Sequence, residues 1–217
     1  MNFKRIMLIA IPIIVIAVIL YIMKLRNDKY YKINPIFHPL GKDAKKEDIV
    51  EEKEIVKSSK GNDLTFHFWM YIKDYKYNHA QRKNIITKGP LSVELSGGLN
   101  DLVVSLNREV ITVPHIPMKE WVHVSVVLRS NTMEVYVDGL LKGTKRLSQK
   151  LVNLPGPLNM NRYGGFDGML SLISYTPKSL PPEDIRAFHA RGPLKKTIWQ
   201  SIFGMPRKLY TQLVNCT

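Results

Sequence analysis

Two glutamates stand inside strand-like runs and are the first candidates for acid–base chemistry. Glu94 lies within the run LSVEL, and Glu134 lies between Met133 and Val135. A retaining glycosidase needs two carboxyl groups about 5–5.5 Å apart, one as nucleophile and one as acid. Each glutamate stands alone in its run, and outward-facing, solvated positions explain both, because unpaired buried acids are rare. We therefore predict no catalytic residue and a protein that is not an enzyme.

Histidine, serine and cysteine residues give no stronger chemical signal. The six histidines show no metal-ligand spacing, and no serine stands in a nucleophile-elbow context. His67 and His123 fall in strand-like runs opposite the predicted core-facing residues, so packing on a sheet surface is their simpler role. The single cysteine, Cys216, excludes an internal disulfide and fits a reducing compartment. These residues predict no metal site.

Aromatic side chains cluster in the first long apolar run and the turn after it. They are Trp69, Tyr71, Tyr75 and Tyr77. Exposed rings of this kind contact sugars or protein partners, whereas rings that fill a sandwich or line its second face are structural. Both alternatives are open from the sequence, and the four residues are our candidate ligand or partner surface.

The elements that must position these residues are predicted to be β-strands. In LTFHFWMYIK, from Leu64 to Lys73, alternate residues share a face. One short helix is predicted in PPEDIRAFHARGP, with proline in its first turn and Gly192-Pro193 at its end. Many short strands with turns between them predict an all-β fold, a two-sheet antiparallel jelly-roll sandwich. The other predicted strands are Asn84–Lys88, Leu91–Leu95, Leu102–Leu106, Val110–Val113, Trp121–Arg129, Met133–Val137 and Met169–Tyr175.

Three stretches together carry a resemblance to a known family. They are LTFHFWMYIKDY at 64–75, IPMKEWVHVSVVLRSNTMEVYVDGLLKGT at 116–144 and GGFDGMLSLISYTPKSLPPEDIRAFHARGP at 164–193. They resemble the concanavalin A-like lectin/glucanase superfamily, in its laminin-G-like branch, over residues 62–193. The resemblance implies a sandwich with one concave sheet that binds sugars, proteins or lipids, or hydrolyses glycans. A fold alone does not choose among these activities.

Two further properties of that family are weighed against the residues. Its glucanases carry Glu-x-Asp-x-x-Glu on one strand, and this sequence has no such run. Many of its members bind calcium at a sheet rim, which takes about 6–8 oxygen ligands. Asp101, Asp138 and Asp167 fall in turn-like positions, where aspartate also bonds to its own backbone. Calcium is therefore the one cofactor that stays open, and no other is expected.

The run from Ile6 to Met23, which includes Pro12, contains no charged residue. As a helix it would extend about 27 Å, close to the thickness of a bilayer core. A cleaved signal peptide is the alternative, but its apolar part is usually about 7–15 residues and a small-residue site follows it. We predict a flank at 1–5, a transmembrane helix at 6–23 and a charged linker at 24–61. The basic residues that flank the span are Lys4, Arg5, Lys24, Arg26 and Lys29.

The formal net charge of +14 includes a basic cluster directly after the apolar run. Such a cluster favours attraction to anionic lipid headgroups, and no zinc-finger spacing or RNA-binding aromatic signature favours nucleic acid. More basic residues follow the run than precede it, so the positive-inside rule places the folded domain on the cytosolic side. We expect a single-pass membrane protein that does not bind nucleic acid.

The segment 194–217 follows the family resemblance and has four basic residues and no acidic one. Apolar residues recur at helical spacing before Gly204 and after Pro206, which predicts two short basic amphipathic helices. The predicted docking residues of this tail are Ile198, Trp199, Ile202, Phe203, Leu209 and Tyr210. A membrane surface, a partner groove or the chain's own sandwich would each accept it, because amphipathicity does not identify the surface covered.

Two functions are consistent with these features. The first is a non-enzymatic, membrane-anchored structural protein that tethers a bilayer to neighbouring structural proteins. Single-pass proteins with this type of domain are similar to ones encoded by large double-stranded DNA viruses, where a minor capsid protein links an internal virion membrane to the capsid. The alternative is a lectin-like attachment protein that binds glycans. Oligomeric state is open in both.

Overall fold

The computed structural model describes residues 16–22, 36–37, 41–55, 63–149 and 154–193. Residues 16–22, inside the apolar run, are helical and are labelled α1. Among the described residues, no helix combines the length and the apolar character needed to cross a bilayer. Outside the described residues lie the rest of the predicted span, with its markers Ile6, Pro12 and Met23, the five basic flanking residues and the six docking residues of the tail.

Two antiparallel sheets form a sandwich, which confirms the predicted all-β class. The seven-stranded sheet has the order β1-β13-β4-β9-β10-β11, with β2 also paired to β13, and the six-stranded sheet has the order β3-β12-β5-β6-β7-β8. The strands are β1 (Ile36–Phe37), β2 (Lys42–Asp43), β3 (Asp48–Val50), β4 (Leu64–Asp74), β5 (Lys83–Lys88), β6 (Leu91–Leu95), β7 (Leu102–Leu106), β8 (Glu109–Val113), β9 (Trp121–Arg129), β10 (Thr132–Val137), β11 (Leu140–Arg146), β12 (Leu158–Met160) and β13 (Asp167–Thr176). Two 3-10 turns (Glu52–Glu54 and Arg162–Gly164) and helix α2 (Pro182–Arg191) complete the described elements.

The core lies between the two sheets and follows from the period of two along the strands. On β4, Phe66, Phe68 and Met70 point inward and have no solvent exposure. Successive side chains of a strand point to opposite faces, so the residues between them face outward. Burying each large apolar side chain contributes about 1.5–3 kcal/mol, which makes this inner face the main stabilising element of the domain.

The predicted Asp-Gly turn joins β10 to β11. Asp138 and Gly139 have φ of 51° and 77°, so both central residues are left-handed, as a type I′ hairpin turn requires. The Asp138 carboxylate accepts a hydrogen bond from the His123 backbone N–H at 2.8 Å. Asp138 therefore has the structural role in a turn that its position in the sequence indicated.

Residues 42–55 belong to the sandwich, although the sequence analysis assigned them to the linker. β2 pairs with β13 and β3 pairs with β12, and Ala44, Val50 and Ile55 are buried. The strands have only two or three residues each, so no period appears in the sequence. Backbone hydrogen bonds to strands distant in the chain hold them in place, and propensity does not report such pairing.

Helix α2 forms where the sequence predicted it and packs on the outer face of the seven-stranded sheet. Pro182 occupies its first turn, and Gly192 follows its last turn with φ of 84°. Proline suits the first turn because its missing N–H would have no helical partner, and glycine accepts positive φ without steric cost. Ile185 and the half-buried Phe188 form a second apolar cluster with Val127, Tyr136 and Leu180.

Candidate functional site

Trp69, the first of the predicted surface aromatics, is buried and offers no binding surface. Its side chain is 5 % exposed, and its ring stacks on His189 of α2 with 5.4 Å between centroids. His123 lies 5.1 Å away on the neighbouring strand. This corrects the sequence analysis, because α2 covers this part of β4 and the periodicity of a strand does not show which later element covers its outer face.

Tyr71 stays half-exposed two residues further along β4. It stands opposite Trp121 of β9, and the two ring centroids are 5.7 Å apart. Trp121 is also half-exposed and was not among the predicted surface residues. The register of β4 against β9 creates this pair, and a single sequence holds no signal for register across 50 residues.

Tyr75 has a structural role at the end of the sandwich. Its hydroxyl donates to the Ser96 carbonyl oxygen at 2.8 Å and contacts the Leu99 carbonyl oxygen. Burial, with a smaller contribution from the nearby Asp101 carboxylate, raises the pKa of Tyr75 to about 12. The buried Lys83 ammonium lies 4.5 Å above the Tyr75 ring. These contacts hold the loop between β6 and β7 against the end of β4.

Tyr77 lies at the same end of the sandwich and is half-exposed. The Lys45 ammonium lies 4.8 Å from the centroid of its ring. A Cβ placed on Gly164 would be 3.1 Å from the Tyr77 hydroxyl oxygen and 3.5 Å from the Asn78 amide nitrogen. The turn after β4 therefore lies directly against the turn that precedes β13.

Tyr163, in that second turn, is the most exposed large side chain of the region. It is 78 % exposed and has φ of 58° and ψ of 33°. A left-handed backbone costs an ordinary residue roughly 1–2 kcal/mol, and for a bulky residue it is an outlier. Asn161 and Gly165 are also left-handed, with φ of 55° and 46°. We call this surface the tyrosine rim; it consists of Tyr77 and Tyr163 with the neighbouring polar residues Lys45, Asn78, Arg162 and Asp167.

Close backbone contacts build the tyrosine rim. A Cβ on Gly165 would lie 2.1 Å from the Ala44 carbonyl oxygen, so only glycine fits this position. That same oxygen accepts a hydrogen bond from the Phe166 N–H at 3.2 Å. The Asn161 side-chain amide donates to the Lys46 carbonyl oxygen at 3.3 Å. The segment 43–47 therefore supports the turn that presents Tyr163, which explains why left-handed residues concentrate there.

The charges of the tyrosine rim are mixed in sign. Lys45 Nζ lies 2.8 Å from Asp167 Oδ1, and this hydrogen bond raises the pKa of Lys45. The Arg162 guanidinium lies 5.0 Å from the Tyr163 ring centroid and 3.9 Å from Glu47. Exposed aromatic faces beside amide, carboxylate and cationic groups can stack on a sugar ring and hydrogen-bond to its hydroxyls.

The two glutamates considered for acid–base chemistry lie on different sheets. Glu94 of β6 pairs with Arg82 at 3.3 Å. Glu134 of β10 pairs with Arg129 at 3.3 Å and accepts the Tyr136 hydroxyl at 2.8 Å. The sequence analysis expected both glutamates to be solvated. Both are instead half-buried, because an arginine guanidinium lies close enough to pair with each carboxylate.

The three aspartates considered for calcium have separate partners. Asp101 accepts the His115 N–H, Asp138 accepts the His123 N–H, and Asp167 pairs with Lys45. Over the part of the chain that the structure describes, no group of three acidic, histidine or cysteine residues is arranged to hold a metal ion.

The fold agrees with a comparison to known families. Residues 50–186 match the Laminin_G_3 family of the concanavalin A-like lectin/glucanases superfamily. The chain belongs to this superfamily. A comparison with curated proteins gave no match. Within this superfamily the sandwich found here is the shared structure, and sites differ from member to member.

Solved structures similar to this superfamily member include several toxin binding domains. The binding domain of botulinum neurotoxin DC, in complex with rat synaptotagmin II, has 17 % sequence identity and a TM-score of 0.54, over 70 % of this chain and 41 % of that one. The binding domain of Paraclostridial Mosquitocidal Protein 1 has 14 % identity and a TM-score of 0.53, over 72 % and 45 %. This chain therefore spans less than half the length of these proteins, and at such identity the likeness shows the fold.

Proposed function

We propose that this domain is a lectin-like binding module that recognises a glycan through the tyrosine rim. The observation that carries the proposal is Tyr163, a tyrosine that is 78 % exposed on a left-handed backbone. A strained residue holding a large ring in solvent has no packing role that would explain it, and such strain concentrates at binding sites. Membership of a lectin superfamily supports the same conclusion.

The neighbouring groups fit a ligand rich in hydroxyls. Tyr77 offers a second half-exposed ring, while Asn78 and Asp167 offer an amide and a carboxylate. Stacking on the two rings would supply apolar contact area, and the polar groups would set orientation. The pairing of Lys45 with Asp167 keeps the local charge near balance, which favours a neutral sugar over a highly charged one.

A glycan array with the full chain tests this proposal. We expect saturable binding that Tyr163→Ala weakens at least about ten-fold, because truncating an aromatic hot spot typically costs about 2 kcal/mol or more and about 1.4 kcal/mol is already ten-fold. Tyr163→Phe should retain most of the affinity, since the ring is kept. Val110→Ala, at a half-exposed residue of the six-stranded sheet, is the matched control and should bind normally.

The proposal would be wrong if the chain bound no glycan saturably, or if Tyr163→Ala bound glycan as tightly as the unmodified chain. A protein receptor is then the next candidate, because one similar toxin domain is seen in complex with rat synaptotagmin II. In that case Tyr163→Ala would weaken binding to a protein partner, and the full chain would bind no glycan on the array.

We further propose that the module is tethered to a membrane by the run from Ile6 to Met23; glycan recognition calls for a domain that faces away from the cytosol, opposite to the side that the flanking charges favour. The support is the uncharged apolar sequence, of which residues 16–22 are helical. Alkaline carbonate extraction should leave the full chain in the membrane pellet and release a chain without residues 1–23. Protease protection of the domain in sealed vesicles reports its side of the membrane. The narrower hypothesis of a minor capsid protein at a virion membrane rests on the sequence resemblance alone.

A further inference from the structure

Three imidazoles lie together between helix α2 and the outer face of the seven-stranded sheet. His67 of β4 and His123 of β9 are 3 % and 0 % exposed, and His189 comes from α2. The His67 and His123 ring centroids are 5.8 Å apart, and the His123 and His189 centroids are 5.9 Å apart. We call these three residues the imidazole layer. The glycan site proposed above does not use it.

The imidazole layer is under-supplied with hydrogen-bond partners. Among the described residues, none bonds to His67 Nε2, His123 Nδ1 or His189 Nδ1. His123 Nε2 lies 3.5 Å from the Ser125 hydroxyl oxygen, a contact at the limit of a hydrogen bond. A neutral imidazole has one N–H donor, whereas an imidazolium has two and needs an acceptor for each. Burying an unpartnered charge is costly, so the layer accommodates His67 and His123 only as neutral rings.

The charged groups around the two buried rings reinforce this preference. From α2, the Arg191 cation faces His67, and His189 faces His123. Burial first and Arg191 second lower the pKa of His67 to about 3. Burial first, then the two other imidazoles, lower the pKa of His123. No acid faces either ring from β13, which presents Ser171 and Ser174 on this side.

The Asp138 carboxylate, in the turn between β10 and β11, faces the layer. Its Oδ1 atom is 3.8 Å from His189 Nδ1. The His189 and Asp138 side chains are both more than a third exposed, and a pair this exposed contributes little to holding α2. Arg186 of α2 also lies by this turn, beside Gly139. The Asp138 carboxylate therefore opposes acid-induced opening only weakly.

We propose that the imidazole layer makes α2 a pH-sensitive switch, in which protonation of His67 and His123 detaches α2 from a sandwich that stays folded. α2 pairs with no strand, so its departure breaks no hydrogen bond of either sheet. It is held by the apolar contacts of Ile185 and by ring contacts such as Phe188 on His67, with 3.9 Å between centroids. Detachment would expose Trp69 and the apolar outer face to a partner.

The sign of the pH dependence follows from the two states. With α2 detached, the rings titrate near the ordinary value of about 6.5, and with α2 attached their pKa is far lower. Above about pH 6.5 the rings are neutral in both states, so the detached-to-attached ratio is at its lowest and does not change with pH. Below that pH, each buried ring raises the detached-to-attached ratio about ten-fold per pH unit, and the two rings together raise it about a hundred-fold.

Hydrogen exchange of the full chain, from about pH 7.5 to about pH 4.5 and corrected for intrinsic exchange rates, tests the switch. We expect protection of 182–191 to be constant above about pH 6.5 and then to fall about a hundred-fold per pH unit, while β5 and β6 stay protected. His67→Phe keeps the ring contact with Phe188 and should reduce the fall to about ten-fold per pH unit. His115→Gln, an exposed histidine elsewhere, is the control and should behave as wild type.

Loss of protection in α2 and both sheets together, or an unchanged slope in His67→Phe, would overturn the proposal. If His67→Phe does not fold, histidine Hε1 resonances of the unmodified chain decide the question. Titration of His67 and His123 in step with loss of α2 contacts supports the switch. Titration near pH 6.5 with α2 still attached overturns it.

Discussion

Over residues 64–70, the two faces of strand β4 are both buried, but by very different chemistry. Phe66, Phe68 and Met70 point into the core between the sheets, where hydrocarbon surrounds them. His67 and Trp69 point the other way and lie against α2. The inner face buries no ionisable group of β4, whereas the outer face buries an imidazole with an unpartnered nitrogen.

This difference shows that burial alone does not define a core. Apolar groups gain free energy when removed from water, but a polar group recovers its lost hydration only through a hydrogen bond. The inner face should therefore stabilise the domain at any pH. The outer face should hold α2 in place only while His67 and His123 are neutral. A fall in pH should therefore open the outer face and leave the inner face closed.

The largest effect is expected from the inner face. Phe68→Ala removes a fully buried ring and should lower the free energy of unfolding by about 3–5 kcal/mol in urea denaturation. Leu140→Ala, at a residue that is 60 % exposed, is the control and should change it by less than about 0.5 kcal/mol. A loss below about 1 kcal/mol for Phe68→Ala would mean that the inner face is not the main core.

A smaller and more local effect is expected at the apolar anchor of α2. Ile185→Ala should cost about 2 kcal/mol and should appear as faster hydrogen exchange in α2, with the sheets unchanged. Ala190→Ser, at an exposed residue of the same helix, should have little effect. If Ile185→Ala instead accelerated hydrogen exchange in both sheets as well, α2 and the sandwich would unfold as one cooperative unit. The distinction between the inner and outer faces of β4 would then be wrong.

The third effect concerns the connection that leads into α2. The Thr65 hydroxyl donates to the Lys178 carbonyl oxygen and accepts from the Leu180 N–H, each at 3.0 Å. Thr65→Val keeps the shape and leaves both backbone groups unpaired, which should cost about 1–3 kcal/mol in thermal or urea unfolding. Thr144→Val, exposed on β11, is its matched control. Equal stability of the two variants would show that water replaces these bonds.

The smallest effect is expected from one hydroxyl on the outer face. Tyr136 donates to Glu134 at 2.8 Å, and burial together with Glu134 raises the pKa of Tyr136 to about 12. Its contribution to stability is present below the ordinary pKa of about 10 and is lost as the pH rises through the folded value. Tyr136→Phe should cost about 1 kcal/mol at neutral pH and lessen the loss of stability at alkaline pH, as followed by urea denaturation. Tyr163→Phe should leave both properties unchanged.

Much of the fold was predictable because its long strands carry their own signal. β4 and β9 show clear alternation, and α2 has proline at its start and glycine at its end. The short strands β2, β3 and β12 were not predicted, because two or three residues cannot display a period and their pairing is with distant parts of the chain. The stretch before Asn161 reads as a Pro-Gly-Pro turn, which hides β12.

The site was predictable only in part, for a related reason. Tyr77 belongs to the predicted aromatic cluster and lies at the rim, but Trp69 from the same cluster is covered by α2. Tyr163 was missed because it stands in a glycine-rich turn without periodicity. A tyrosine directly before Gly164-Gly165 was the one available signal, since paired glycines indicate a tight turn that can expose the preceding side chain.

By itself, the sequence determined the all-β class, the long strands, the closing helix and the apolar run from Ile6 to Met23, because periodicity and local turn chemistry are properties of neighbouring residues. Only the tertiary structure decided which aromatics are accessible and that His67, His123 and His189 meet. The physical reason is that strand register and the placement of α2 depend on contacts between residues far apart in the chain, which no local pattern specifies.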